Sequence, residues 1–120
     1  MTRLPAALIR VVDGDTYWLD VVAEREVWPG VTVRSAAKFP IRLLAWDTPE
    51  RGEPNYREAI NFASERLGTG MVEVGWPVGM SFSRYVCAVW VDSRLLGELL
   101  EEAGLAVPIA PRQMRLERLP

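Results

Sequence analysis

The sequence predicts a small mixed α+β domain, mainly β, with its strands gathered into a barrel and two to three helices packed on it. Three observations carry this. Short runs of β-branched and aromatic residues recur between turn residues, only two stretches show strong helical spacing, and 120 residues suffice for one core but not for two. Ala6 to Val12 reads as a first strand and Tyr17 to Val22 as a second, with Asp13-Gly14 between them as a hairpin signal. Trp28-Pro29-Gly30 marks a turn, Val31 to Val33 resumes extended structure, and Ile41 to Leu44 is an apolar strand interrupted by Arg42. Pro40 is expected to keep that stretch from being one continuous central strand.

The second half alternates helix and strand. Asn55-Tyr56-Arg57-Glu58 reads as a capping box, Ala59, Phe62, Ala63 and Leu67 follow at helical spacing, and Gly68 is the expected stop. Met71 to Trp76 reads as a strand, Pro77-Val78-Gly79 as a turn, and Arg84 to Val91 as a last strand. Leu95, Leu96, Leu99, Leu100 and Ala103 line one helical face before Gly104. Residues 1–110 form the expected domain. Residues 111–120 form a tail with proline at both ends, expected to be short or frayed.

Two absences narrow the chemistry. Histidine is missing, which excludes a Ser-His-Asp triad, a histidine base and a histidine-bound metal. Cys87 is the only cysteine, so an internal disulfide and a multi-cysteine zinc site are excluded as well. Any metal must be held by oxygen, which points to a hard ion such as Ca²⁺ or Mg²⁺. The net charge of −2 gives no whole-molecule attraction for nucleic acid, so a polyanion would need a local cationic patch. No apolar run reaches the length of a membrane span, and Leu4 to Ile9 is too short for a signal-peptide core. A cytoplasmic monomer without membrane contact is the expectation.

The residues with most chemical promise cluster in two motifs, Asp13-Gly14-Asp15-Thr16 and Arg42 followed by Asp47-Thr48-Pro49-Glu50. A guanidinium directed into a strand's buried face needs an anion, and carboxylates at a strand end sit where rigid scaffolds carry chemistry. Alone, each has an ordinary structural use. Asp15 and Asp47 suit turns, Thr48 and Glu50 suit a helix start, and Arg42 and Arg84 suit surface ion pairs.

In combination, Val12-Asp13-Gly14-Asp15-Thr16, Arg42-Leu43-Leu44-Ala45-Trp46-Asp47-Thr48-Pro49-Glu50, Glu58-Ala59, Arg84 and Glu102-Ala103-Gly104-Leu105-Ala106 resemble the staphylococcal nuclease (thermonuclease) family. The resemblance spans about Ala6 to Val107. It implies an OB-fold five-stranded barrel and calcium-dependent hydrolysis of phosphodiester bonds in DNA and/or RNA. Single-stranded or flexible substrate is favoured, because an open site needs a backbone that can bend into it. By position, Asp15 and Asp47, with the Thr48 carbonyl, would hold one Ca²⁺. Glu50 would act as general base or orient water, and Arg42 and Arg84 would grip the scissile phosphate.

Departures from the family pattern matter too. Phe82-Ser83-Arg84 stands where the family usually carries Tyr-Gly-Arg, and Ser81 stands where lysine is often found. Pro108-Ile109-Ala110-Pro111 replaces a stretch that can carry base-stacking tyrosines. Phe82 and Tyr56 are candidate substrate contacts, with Trp46 as a further aromatic whose ordinary role is packing. Two rival functions stand beside the nuclease: a module that binds nucleic acid with weak or no turnover, and a protein-interaction barrel whose acids merely cap turns.

Overall fold

Alternation of apolar and polar side chains sets the first half of the chain. In the computed structural model, which describes residues 3–120, β1 (Leu4–Asp13), β2 (Thr16–Trp28) and β3 (Val31–Leu43) form an antiparallel meander. A register shift in β1 after Leu8 leaves Ile9 and Arg10 both outward and returns Val11 to the core, and a second shift follows Val11. β4 (Trp46–Asp47) is a short piece before α1 (Tyr56–Thr69). β5 (Val72–Val74), β6 (Gly79–Ser81), β7 (Arg84–Cys87), β8 (Val89–Val91) and β9 (Arg94–Leu95) lead into α2 (Leu96–Glu102), followed by β10 (Val107–Pro108) and a 3₁₀ turn at Pro111–Gln113. The protein is mixed α+β and mainly β, with two α-helices on a curled sheet.

The curl follows from the partners of one stretch. The expected last strand, Arg84 to Val91, is broken at Ala88: β7 runs parallel to β3, whereas β8 runs antiparallel to β5. The large sheet has the order β6-β7-β3-β2-β1-β5-β8-β9, so neighbouring residues of the chain serve far-separated places in it. Tyr17, Leu19, Ile41, Leu43, Val86, Val89, Leu96 and Leu100 fill the interior between sheet and helices, each at most 2% exposed.

Four local expectations are corrected. Pro40 does sit inside a continuous strand, paired with Trp18; β7 pairs with β3 only from Ile41 onward, so the side of β3 beyond Pro40 needs no N–H donor. Asn55 makes no capping box, because it lies in the left-handed region at φ 69° and its side chain accepts no capping bond. α1 runs through Gly68 and stops at Gly70, where an added Cβ would lie 2.3 Å from Val91. The tail is not frayed. Glu117 and Met80 exchange backbone bonds of 2.7 and 2.9 Å, and the Ile109 N–H donates to the Ala45 carbonyl at 2.9 Å.

Residues 23–38 project as an exposed two-stranded arm, braced by a 3.4 Å Arg34–Glu24 pair, and none of them lines the cleft described below. No helix among the described residues is long and apolar enough to cross a membrane.

The core carries a testable pH signature. Burial pushes the Cys87 thiol up from 9.0 to about 12, and burial, reinforced by Asp15 and opposed by Arg42, raises the Tyr17 phenol well above 10.0. Both folded values exceed the unfolded ones, so their stabilisation is whole below pH 9 and is lost as pH rises towards 12. The loss per group is about 1.4 kcal/mol per pH unit within its window. Urea midpoints should fall steadily above pH 9, and Cys87→Ala should remove the part of that fall that begins there. Midpoints independent of pH up to 11 would contradict the burial of both groups.

Candidate functional site

The tight turn Gly14-Asp15 between β1 and β2 sets the first functional side chain. Gly14 is not needed for a positive φ; it is needed for room, since a Cβ there would lie 2.7 Å from Thr48 Oγ1 and 2.9 Å from Ala59 Cβ. That contact seats the loop after β4 against the turn. The Thr48 N–H then donates to Asp15 Oδ2 at 3.3 Å, while the Thr48 hydroxyl is buried with no hydrogen-bond partner. Thr48 is therefore not a helix cap, and the helix it was expected to start begins at Tyr56 instead.

Arg42 reaches inward from β3, as the sequence demanded, and is 7% exposed. Its guanidinium donates to the Leu43 carbonyl, to the Trp46 carbonyl at 2.8 Å and to Asp47 Oδ1, and it lies 3.6 Å from Asp15 Oδ2. One nitrogen thus faces both aspartates, although they are 32 residues apart in sequence. Asp47 is positioned from the far side: β4 pairs with β10, and the Trp46 ring covers Gly97 of α2 while its indole N–H donates to Glu101 at 2.9 Å. Trp46 is a packing residue, not a wall of the cleft.

Arg84 enters the same space from β7. Its donors meet the Ser81 carbonyl at 3.0 Å, Thr16 Oγ1 at 2.7 Å and Ser81 Oγ at 3.4 Å. All of these acceptors are neutral, and no carboxylate among the described residues pairs with Arg84. Burial holds its pKa below the ordinary value; repulsion from Arg42 adds to that, and Asp15 and Asp13 oppose it. An incompletely balanced guanidinium beside a second one is an arrangement that an incoming anion relieves.

Phe82 and Ser83 form the turn before Arg84, with φ values of 48° and 65°. Both are left-handed, a conformation glycine adopts more cheaply than serine or phenylalanine, at a cost of about 1–2 kcal/mol per residue. The Phe82 ring is 85% exposed, with the Arg84 guanidinium 5.9 Å from its centroid. Tyr56 is placed differently. Its hydroxyl donates to Asp13 Oδ1 at 2.6 Å, and it does not line the cleft. Glu50 does line the cleft, on an exposed loop whose backbone N–H donates to Glu53 Oε1 at 2.6 Å.

These groups open into one cleft of about 1120 Å³. Asp15, Asp47, Thr48, Glu50, Arg42, Arg84 and Phe82 all line it. Three contributors are not among the site residues named from the sequence. Thr16 anchors Arg84, Glu53 braces the Glu50 loop, and Gln113 to Arg115 of the tail form a further wall. Thr16 had a signal in the Asp-Gly-Asp-Thr motif; the tail had none, because its docking is long-range. Compared with the models of known protein families and with curated proteins, the chain matches none.

Proposed function

We propose that the cleft is the site of a calcium-dependent nuclease on an OB-like five-stranded barrel, hydrolysing phosphodiester bonds in DNA and/or RNA. The observation that carries this reading is the pairing of unlike needs in one place. Arg84 is part-buried with neutral partners only, while two aspartates converge on a single nitrogen of Arg42 nearby. An anion satisfies the first and a cation the second, and a metal-bound phosphodiester is both at once.

The donors fit a hard cation in type. Histidine is absent, Cys87 is buried in the core, and oxygen atoms are what the cleft offers. Among the described residues no three metal-ligating side chains gather. Asp15, Asp47 and the Thr48 carbonyl would hold the ion, leaving places for water and a phosphate oxygen. When bound, Ca²⁺ supplies positive charge against the developing phosphorane oxygens and a position for water. Five carboxylates, of Asp13, Asp15, Asp47, Glu50 and Glu53, face four guanidiniums, of Arg42, Arg51, Arg84 and Arg115, across the cleft. A divalent cation reverses that balance in favour of a polyanion.

The chain's own residues do the rest. Arg84 donates to the phosphate oxygens in the ground state and more strongly as charge grows on them. Arg42 orients the aspartates and adds its charge to the same region. Glu50 accepts or directs the proton of the attacking water, a role a carboxylate lining the cleft can fill in a protein without histidine.

The Arg42 ion pairs favour a second reading, a nucleic-acid-binding module, because a guanidinium already sits between the two aspartates and offsets one of their two charges. Digestion of denatured DNA separates the two. Acid-soluble nucleotides should appear with Ca²⁺, stop with chelator, and be lost in Asp15→Ala. Ca²⁺ at a hundredfold excess over Kd should also stabilise the wild type by about 2.7 kcal/mol, read as a rise of several degrees in Tm. No release of nucleotides by protein that still binds the denatured DNA would leave the binding module; no release and no binding would remove both.

A further inference from the structure

We propose that the C-terminal segment 107–117 is a strap forming one wall of the cleft, on which Arg115 holds a backbone phosphate of a single strand flanking the reacting bond. This rests on the nucleic-acid reading of the cleft and names the contact that extends it. Both ends of the strap are fixed. At one end Val107 and Pro108 pair with Asp47 and Trp46, so the strap leaves from the strand that carries a site aspartate. At the other, Glu117 exchanges two backbone bonds with Met80, and Gly79 is packed so closely that a Cβ there would lie 3.0 Å from Leu116 Cβ. Between them, Gln113 closes the 3₁₀ turn through its N–H to the Ala110 carbonyl at 2.8 Å and its side-chain oxygen to the Ala110 N–H at 3.0 Å.

This bracing puts Arg115 in a defined place. Arg115 lies two residues before the Glu117 that bonds Met80, and both Arg115 and Phe82 line the cleft. Arg115 is exposed and lines the cleft, and among the described residues no carboxylate pairs with it, as is also true of Arg51 in the same cleft. An exposed aromatic ring and an unpaired guanidinium in one cleft are equipment for a single strand, the ring taking a base and the guanidinium a phosphate.

The test is fluorescence anisotropy with 5′-labelled oligothymidylate in chelator, where no cleavage occurs. Two lengths are needed: twelve nucleotides, and a dinucleotide, whose single internucleotide phosphate cannot occupy Arg84 and Arg115 together. Arg115→Ala should weaken the twelve-mer by about 3- to 10-fold and lower the salt slope by ~0.7, the share of one single-strand phosphate contact. Dinucleotide binding should stay the same, and Arg115→Lys should keep most of the affinity. Unchanged twelve-mer affinity in Arg115→Ala, or equal losses at both lengths, overturns the strap contact alone. Wild-type protein that binds neither length, with Ca²⁺ or without, overturns the nucleic-acid reading together with it.

Discussion

Arg42→Ala is expected to lower both stability and turnover, each for a separate physical reason. Arg42 donates to two backbone carbonyls and faces two aspartates, and it is almost fully buried. Its removal strands the Asp15 carboxylate, whose side chain is only 16% exposed, beside carbonyl oxygens that have lost their donor. Losing one partner of a buried ionic group costs about 3–5 kcal/mol, and the half-exposed Asp47 places this case at about 3. Urea denaturation reads that loss directly. Turnover of single-stranded DNA should fall by ~10²–10³ while binding falls less, because the guanidinium acts where charge develops. Arg42→Lys should not restore either quantity, since one ammonium cannot meet acceptors spread around a planar fork. A variant as stable as wild type would deny Arg42 its structural part, and equal losses in turnover and binding would make it a uniform anchor.

Glu50→Gln should show the opposite combination, a large kinetic effect with the fold intact. Glu50 lies on an exposed loop, and its stabilising bond is made by its backbone N–H to Glu53, which glutamine preserves. The change in unfolding free energy should stay within about 0.5 kcal/mol. Turnover should fall by ~10²–10⁴, the usual contribution of a placed acid or base. The Ca²⁺-induced rise in Tm should persist. Turnover at the wild-type rate would take Glu50 out of the chemistry and leave water activation without a side chain.

The site was legible in the sequence to the extent that it was local. Arg42 announced itself because a charged residue inside Ile41-Arg42-Leu43 has to find an anion, and it does. Asp15 at a hairpin turn and Asp47 at a strand end could each be named, but their meeting could not. It depends on β2 and β3 pairing Thr16 with Arg42, and on Gly14 leaving space for Thr48. The aromatic assignments divide on the same ground. Phe82 is open to the cleft because its turn lifts it there, while Tyr56 is committed to Asp13, 43 residues away in sequence.

Composition and short-range pattern alone determined a mixed, mainly-β fold, expected with two to three helices and seen with two α-helices among the described residues, and left oxygen as the side-chain donor for any metal. Those follow from which residues exist and how they alternate. Tertiary structure decided that Arg84 reaches Thr16, that the strand from Arg84 to Val91 divides between the two ends of the curled sheet, and that part of residues 107–117 lines the cleft. Each of these depends on backbone and side-chain contacts between segments far apart in the chain, for which no residue carries a local mark.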